Sequence, residues 1–510
     1  MLRKITTNIF AFPWYPIILG VYPPIALFAS NVSQVDFGVI YRPLFISLAG
    51  SVIILFLMWL LIRDTSRAAF MSATLLLLFF MYGHFYNYVE DITVWGVPVG
   101  RHRVLLVFYG FLIILSIVFA MRKSVNFSAQ NSSVNAIAIV LMFFPIYTIV
   151  SYRFSIEKAA VFAQQTDSTL EVESGQSLPD VYYIILDSYT RSDVLSNVYG
   201  YDNSAFINGL ENMGFYVADC STSNYMWTHL SISSTLNMQY LQDIPAYGFA
   251  EDKDILTEEL IKHSLVRNTF EGLGYKTVAF ATGFPFNEIS DADLYLQPPY
   301  LMESIREFDA LLVETTLLRV FQDFGLIRIN QTATALYRDR TLFALSQFDD
   351  LARLGGPKFV YIHIIPPHPP FVFGSNGEVV MPRDFLSTEG QYTNDKYDKG
   401  YIDQVNFISK QITVSLQQLL SESSVPPIII LQGDHGPWLQ EGENRISILN
   451  AYYLPEHTEK IYPEVSPVNS FRVIFNEYFK ADYALLEDVS YASSLSDVYE
   501  LSLQPSTCKK

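Results

Sequence analysis

The sequence predicts a multi-span α-helical membrane domain followed by an α/β domain with a mostly parallel central sheet flanked by helices. Long apolar runs fill the first third of the 510 residues. Short β-branched and aromatic runs alternate with helix-like stretches in the remainder, a pattern typical of a parallel sheet. We therefore expect a transmembrane domain over residues 1–152, a stalk over 153–178 and the α/β domain over 179–510.

The apolar runs of the first part approach the roughly 20 residues that a helix needs to cross the hydrocarbon core of a bilayer. The five predicted spans lie near residues 9–29, 44–62, 69–89, 105–121 and 134–151. The first span contains four prolines, so we expect it to be kinked or partly interfacial. A cleaved signal peptide is the alternative for this run, but it lacks a compact apolar core followed by a small-residue cleavage site.

Basic residues in the short loops predict the orientation of the chain. With five spans, one side of the membrane carries Arg3, Lys4, Arg63, Arg67, Arg122 and Lys123. The other side carries Arg42, Arg101 and Arg103, which weakens the asymmetry without reversing it. The positive-inside rule then places the N-terminus in the cytoplasm and everything after Ser151 outside. We expect a multi-pass protein of a bacterial-type inner membrane.

The second part of the chain is strongly acidic, since residues 154–510 hold 23 basic and 47 acidic residues. This balance argues against nucleic-acid binding, which requires basic side chains to neutralise phosphates. The two cysteines, Cys220 and Cys508, are too few for a disulfide framework. A domain of this size buries enough apolar surface to fold without one.

Four nearly continuous apolar runs have the length of strands buried on both faces of a sheet. They are Val181–Leu186, Thr277–Ala281, Phe359–Ile365 and Ile428–Leu431. Helix-like segments lie between them, including 204–213, which Gly214 ends in the position of a C-cap. A second such segment runs over 308–354.

Polar side chains follow three of the predicted strands. Asp187 follows the first, His363 and His368 lie at the end of the third, and Asp434 and His435 follow the fourth. Ligands collect beyond the carboxyl ends of strands in open α/β sheets, so we expect these residues to converge. Two carboxylates and an imidazole suit zinc or manganese. Taken alone, an Asp that closes a strand, such as Asp187, is more often a helix cap or a turn residue.

Thr228 is the expected nucleophile. It stands where a loop enters a predicted helix, a position that favours phosphate binding. Capping of that helix is the alternative explanation for a Thr at this position. A divalent metal on the Thr oxygen would lower the pKa of the hydroxyl and activate it for attack.

These motifs resemble the sulfatase/alkaline-phosphatase superfamily over roughly residues 179–455. The motifs are Asp187, Thr228-x-x-Ser231, Pro-His368-Pro-Pro-Phe and Asp434-His435-Gly436. Together with the membrane spans, they resemble the lipoteichoic acid synthases and the phosphoethanolamine transferases. The resemblance implies that Asp187, Thr228, Asp434 and His435 hold the catalytic metal. It also implies that Thr228 carries a covalent phospho-intermediate and that His368 contacts the substrate.

The chain departs from true sulfatases at two points. Asp187 is followed by Ser188 where sulfatases have paired Asp residues, and Cys220-Ser-Thr-Ser-Asn224 lacks the Pro and Arg of the formylglycine motif. Members of the superfamily that bind two metal ions require a further Asp and two more His residues. Because the chain has only eight histidines, one Zn²⁺ or Mn²⁺ ion is expected rather than two. Further substrate-binding candidates are His363, Asn224, Trp438 and Arg445, whose planar fork suits a phosphate. A surface ion pair is the alternative for Arg445.

The leading functional hypothesis is a metal-dependent transferase. It would move a phospho-headgroup from a membrane phospholipid to an envelope glycan or lipid, because an enzyme with a lipid donor gains from a membrane anchor. The first alternative is a sulfatase or phosphodiesterase that uses water as the acceptor. The second is a non-catalytic envelope protein that retains the fold.

Overall fold

The computed structural model describes residues 12–94, 96–163, 178–249, 252–299, 307–327, 329–381 and 394–508. The chain forms two compact units. The first contains Met1–Arg153 and Ser304–Ala333, and the second contains Phe154–Glu303 and Thr334–Lys510. The segment Ser304–Ala333, called the insert below, thus belongs to the first unit. From the sequence, this segment is expected to be part of the α/β domain over 179–510.

The described residues before the insert form five α-helices in the first part of the chain, and four of them are long and apolar enough to cross a membrane. They are α1 (Tyr15–Ser30), α2 (Tyr41–Ile62), α3 (Thr65–Val89), α4 (His102–Ala120) and α5 (Phe127–Ala163). Helix α1 is shorter, with 16 residues, and contains Pro23 and Pro24. Residues 9–11 of the first predicted span lie outside the described residues. A short hairpin of two strands with two residues each, β1 (Thr93–Val94) and β2 (Val97–Pro98), connects α3 to α4.

Helix α5 extends beyond the predicted fifth span, which ends at residue 151. It runs to Ala163, so the first part of the predicted stalk is helical. Residues 164–177 of that stalk lie outside the described residues.

The described residues after α5 contain thirteen α-helices. They are α6 (Ser192–Tyr199), α7 (Ser204–Asn212), α8 (Thr228–Asn237), α9 (Pro245–Phe249), α10 (Lys253–Lys262), α11 (Leu265–Gly272), α12 (Glu307–Thr315), α13 (Arg319–Asp323), α14 (Ile329–Ser346), α15 (Phe348–Arg353), α16 (Asn394–Glu422), α17 (Gly442–Ile446) and α18 (Pro467–Phe479). Helices α12 and α13 belong to the insert. The predicted helix-like stretch 308–354 is therefore four helices, α12 to α15. Gly214 follows α7 with φ of +95°, as its predicted C-cap position requires.

A seven-stranded sheet forms the centre of the second unit, in the order β4-β9-β8-β3-β7-β5-β6. The strands are β3 (Val181–Leu186), β4 (Tyr216–Val217), β5 (Lys276–Phe280), β6 (Leu294–Leu296), β7 (Lys358–Ile364), β8 (Ile428–Gln432) and β9 (Asn450–Tyr453). Strands β8, β3, β7, β5 and β6 are parallel, and β9 is antiparallel to both of its neighbours. Each of the four predicted strands is present to within one residue at either end. A separate hairpin, β10 (Ser490–Ser494) and β11 (Asp497–Gln504), lies near the C-terminus.

Both faces of the sheet are covered by helices, which explains why its strands are apolar throughout. Alternate residues of β3 point to opposite sides, so that Ile184 joins one buried core and Tyr183 the other. Helix α16 covers the first face through residues such as Ile408, and α18 covers the second through residues such as Phe471.

Candidate metal and catalytic centre

The ends of β3 and β8 bring three predicted ligands together. The two strands are neighbours with Ile185 opposite Gln432, so Asp187 and Asp434 follow at the same edge. Asp187, Asp434 and His435 each offer a ligand atom, and these atoms all lie within 4.8 Å of one another. All three side chains are buried. They are called the acidic cluster below.

The two glycines around Asp434 and His435 allow the backbone to turn tightly at this edge. A Cβ atom on Gly433 would lie 2.2 Å from the carbonyl oxygen of Tyr189. A Cβ atom on Gly436 would lie 2.3 Å from the carbonyl oxygen of Asn444. Both approaches exclude a larger residue, so the Gly-Asp-His-Gly string is required by close backbone packing.

Thr228 is the first residue of α8 and contacts the acidic cluster. Its Oγ1 lies 3.1 Å from Nε2 of His435. The N-cap of α8 is Trp227, which makes no side-chain capping bond. Thr228 therefore does not cap the helix, and its hydroxyl is directed to the cluster instead.

The electrostatics of the cluster call for a cation. Burial raises the pKa of Asp187, but the nearby His368, His363 and His435 hold it well below its usual range. Burial and the neighbouring Asp187 carboxylate raise the pKa of Asp434 to about 6. Two carboxylates this close and this deeply buried repel each other, and a proton on Asp434 or a bound cation relieves the repulsion.

Both ring nitrogens of His435 make contacts. Its Nδ1 lies 2.8 Å from the carbonyl oxygen of Gly436 and 3.1 Å from Nη1 of Arg445. Its Nε2 faces the cluster and lies 3.1 Å from Oγ1 of Thr228. Burial and the adjacent Arg445 keep the pKa of His435 well below its ordinary value, so that the ring is neutral.

The donor set fits a divalent metal ion. Oδ2 of Asp434 is buried and has no hydrogen-bond partner, which leaves it available as a ligand. Ser188, which the sequence analysis did not single out as functional, donates its backbone N–H to Oδ1 of Asp434 at 3.0 Å. This bond fixes the carboxylate, and the φ of +63° at Ser188 turns the chain toward it. Nitrogen and oxygen ligands in this number suit zinc or manganese and do not discriminate between them.

The two histidines at the end of β7 flank the cluster. Nε2 of His363 lies 3.3 Å from Oδ2 of Asp187. Nδ1 of His363 contacts the side-chain amide of Asn287 at 2.9 Å. Asn287 could not be identified from the sequence, because it lies 76 residues away from its partner. The ring of His368 lies 6.3 Å from that of His435, so both histidines are at the predicted edge.

Arg445 and Trp438 lie beside the cluster. The Arg445 side chain is buried rather than paired at the surface, and it donates to the carbonyl oxygens of Gly436 and Met226. Its guanidinium lies 5.4 Å from the centre of the Trp438 ring. These contacts place Arg445 directly behind His435, where it adds a fixed positive charge to the centre.

The side chain of Asn224 forms hydrogen bonds with the segments that surround the site. Its Nδ2 donates to Ser466 at 3.0 Å and to the carbonyl oxygen of Val489 at 2.9 Å, while its Oδ1 accepts from Val468. These bonds connect the loop before α8 to α18 and to the C-terminal hairpin. In the structure the Asn224 amide thus supports the scaffold of the site.

Cys220 and Cys508 form a disulfide, a pairing that the sequence analysis did not predict. It joins the loop that precedes Thr228 to the C-terminal tail. The tail also donates hydrogen bonds from Ser506 and Thr507 to Glu443, which lies on α17 with Arg445. The tail therefore supports the element that holds Arg445.

Comparison with known proteins places the second unit in a family. The family model for sulfatases matches residues 179–466, which is more than half of the chain. No curated protein sequence matches the chain.

Several solved structures are similar to the chain at low sequence identity. The integral-membrane phosphoethanolamine transferase EptA from Neisseria meningitidis is 11% identical, with a TM-score of 0.39, over 91% of this chain and 94% of that one. The periplasmic domain of EptC from Escherichia coli is 11% identical, with a TM-score of 0.41, over 67% of this chain and 95% of that one. A 2-O GAG sulfatase is 10% identical, with a TM-score of 0.37, over 63% of this chain and 74% of that one.

Proposed function

The chain belongs to the sulfatase family, and from this premise we propose that it is a membrane-bound phosphotransferase. It takes a phospho-headgroup from a membrane phospholipid and passes it to an envelope glycan or lipid. The observation that supports this most directly is the contact between Thr228 and the acidic cluster. A hydroxyl 3.1 Å from a buried imidazole and beside two buried carboxylates is the arrangement expected of a metal-activated nucleophile.

Asp187, Asp434 and His435 would hold the metal ion, together with Oγ1 of Thr228. When bound, the ion would compensate the two carboxylates and lower the pKa of the Thr228 hydroxyl. Every other part of the reaction is carried by side chains of the protein.

In the first step, the deprotonated Oγ1 of Thr228 attacks the phosphorus of the donor phospholipid. A bond forms between Oγ1 and phosphorus, and the bond from phosphorus to the diacylglycerol oxygen breaks. His368 is the residue that protonates the departing oxygen. Its Nδ1 lies 2.6 Å from the carbonyl oxygen of Pro369, to which it donates, so Nε2 is the atom that exchanges the proton.

In the second step, a hydroxyl of the acceptor attacks the phosphorus of the phospho-threonine. Nε2 of His368 takes the proton of that hydroxyl, and the bond to Thr228 breaks. Arg445 acts from behind the cluster, where its buried charge stabilises His435 in the neutral form. His363 and Trp438 line the edge at which the headgroup would bind.

A hydrolase of the same family would use water as the acceptor, and the same nucleophile would serve. A sulfatase that depends on a formylglycine at Cys220 is disfavoured, because Cys220 is bonded to Cys508. The disulfide also supports an extracytoplasmic catalytic domain, since such bonds persist in oxidising compartments. The four apolar helices and the basic loops support an inner-membrane location.

The decisive experiment measures the mass of the Thr228 peptide after incubation with total phospholipid. We expect an adduct with the mass of the phospho-headgroup on this peptide, and its mass identifies the headgroup. The Thr228→Ala variant is the control and should carry no adduct. Release of phosphate from a soluble chromogenic ester without any headgroup transfer would favour the hydrolase. Absence of both reactions and of metal would favour the non-catalytic alternative.

A further inference from the structure

The first unit contains an apolar groove between two membrane helices and the insert. The groove has a volume of about 540 Å³ and lies between α2, α3 and the stretch from α12 to Leu318. Gly50 and Ile54 of α2 line one wall, Phe79 of α3 lines the second, and Leu312 and Val313 line the third. A volume of this size is typical of small-molecule sites.

The insert forms its wall through close packing on α3. A Cβ atom on Gly83 would lie 1.9 Å from the carbonyl oxygen of Glu314, so the backbone of the insert lies directly on that helix. Leu317 donates its backbone N–H to the carbonyl oxygen of Phe79 at 2.8 Å. The groove is therefore bounded by fixed backbone on this side.

The groove is accessible from outside the protein and has room along α2. Ile46, which lines the groove, is 61% exposed, and the neighbouring Ile53 is 56% exposed. A Cβ atom on Gly50 would meet no heavy atom within 4 Å, so the glycine leaves space within the groove.

The length of the groove matches one leaflet of a bilayer. It extends along α2 from Arg42 to Ile54, a distance of about 18 Å at about 1.5 Å per residue. Half of the hydrocarbon core is about 15 Å thick. A chain that enters at Arg42 would thus reach the middle of the membrane at Ile54.

Polar groups occur at one end of the groove. Arg42, the second residue of α2, pairs with Asp309 of α12, and the Arg42 side chain is 43% exposed. Lipid tails are as apolar as the groove, so an acyl chain alone would gain little by leaving the bilayer. A phosphate bound by the Arg42 guanidinium supplies the specific attraction that the tail lacks.

We propose that this groove binds one acyl chain of a bilayer glycerophospholipid, with its phosphate at Arg42. The occupant is a lipid of the leaflet in which α2 begins. The inference concerns lipid binding and is independent of the transfer reaction, so it holds whether or not the bound lipid is the donor.

The test is photolabelling of the full chain, reconstituted in vesicles, by a phosphatidylglycerol-type lipid with a photoreactive group near the end of one tail. We expect the label on the peptides that contain Ile54 and Leu312. The amount of label on these peptides should be about tenfold lower in the Gly50→Leu variant than in the wild type, because the new side chain displaces about four carbon atoms of the bound chain. The matched control is Gly110→Leu on α4, where a Cβ atom also meets nothing within 4 Å but lies outside the groove.

A second variant tests the headgroup contact. Arg42→Gln should weaken labelling, and Arg42→Lys should restore part of it because the charge returns. Equal labelling of wild type, Gly50→Leu and Gly110→Leu would mean ordinary contact with surrounding lipid and would overturn the proposal. Efficient bismaleimide cross-linking of an Ile54→Cys variant into dimers, without lipid label, would overturn it in favour of a second copy. Labelling that persists in Thr228→Ala separates this inference from the proposed transferase.

Discussion

The acidic cluster of the second unit and the apolar groove of the first are assembled in different ways. The cluster gathers polar side chains at the ends of two adjacent parallel strands, where the N–H of Ser188 donates to Asp434 and the carbonyl oxygen of Gly436 contacts Nδ1 of His435. The groove is a space between helices, and a segment distant in sequence forms one of its walls. The polar side chains of the cluster are held by hydrogen bonds at the strand ends. The shape of the groove depends instead on which segment packs on which helix.

The largest expected effect concerns the side of the membrane on which the acidic cluster lies. A reporter fused after Lys123 should be active only in the cytoplasm, and one fused at Gly175 only outside, because the Arg63/Arg67 and Arg122/Lys123 loops are retained inside. A third reporter at the N-terminus distinguishes five spans from four, since α1 has only 16 residues. Cytoplasmic activity at Gly175 would contradict the proposed envelope substrates.

Thr228→Ala tests whether the acidic cluster acts through the Thr228 hydroxyl. We expect activity to fall by roughly 10³-fold or more, as for other removed nucleophiles. The free energy of unfolding should change by less than about 1 kcal/mol, because Thr228 makes no capping bond. Turnover with a phospholipid donor and the denaturation midpoint are the measurements. Thr413→Ala, in which a helical Thr also loses its hydroxyl, is the matched control and should keep its turnover.

Asp434→Asn and His435→Ala test the metal. Loss of outer-shell partners typically costs roughly 10–100-fold in metal affinity, so loss of a ligand should cost at least that much. Elemental analysis after dialysis should find one divalent ion in the wild type and almost none in either variant. Asp193→Asn, at a carboxylate that pairs with Arg191 instead, should retain the ion. A full complement of metal in both ligand variants would place the site elsewhere.

Cys508→Ser tests how far the cluster depends on the C-terminal tail. The disulfide closes a loop of 288 residues, and its loss should lower the free energy of unfolding by about 2–4 kcal/mol because the unfolded chain gains freedom. Denaturation of the wild type with and without reductant should reproduce the difference. Metal content should remain unchanged, because none of the three cluster residues lies on the tail. Metal loss in this variant would show that the tail positions the cluster itself.

The smallest expected effect is that of Gly83→Val, which tests the packing of the insert on α3. The new side chain would collide with the backbone at Glu314, and overpacking of this type typically costs about 1–3 kcal/mol. We expect faster proteolysis within 304–333, while metal content stays constant. Gly110→Val, where the same side chain meets open space, is the control. Equal proteolysis of the two variants would mean that the insert does not depend on α3.

All three residues of the acidic cluster could be located from the sequence because their signals are local. Each lies within a few residues of the end of a continuous apolar run, and strands in a parallel sheet end at the same edge. The same reasoning missed Asn287 and the Cys220–Cys508 disulfide, whose partners are 76 and 288 residues apart. It also placed Asn224 among the substrate contacts, although the structure engages that amide with Ser466, Val468 and Val489.

The sequence by itself determined the two-part architecture, the buried strands and the positions of Asp187, Thr228, Asp434 and His435. These follow from hydrophobic periodicity and from polar residues at its interruptions, which are properties of short segments. Only the tertiary structure decided that the insert packs on α3, that Arg445 lies behind His435 and that Thr228 contacts the cluster instead of capping its helix. Such contacts join segments far apart in the chain, and the packing of the whole fold selects them.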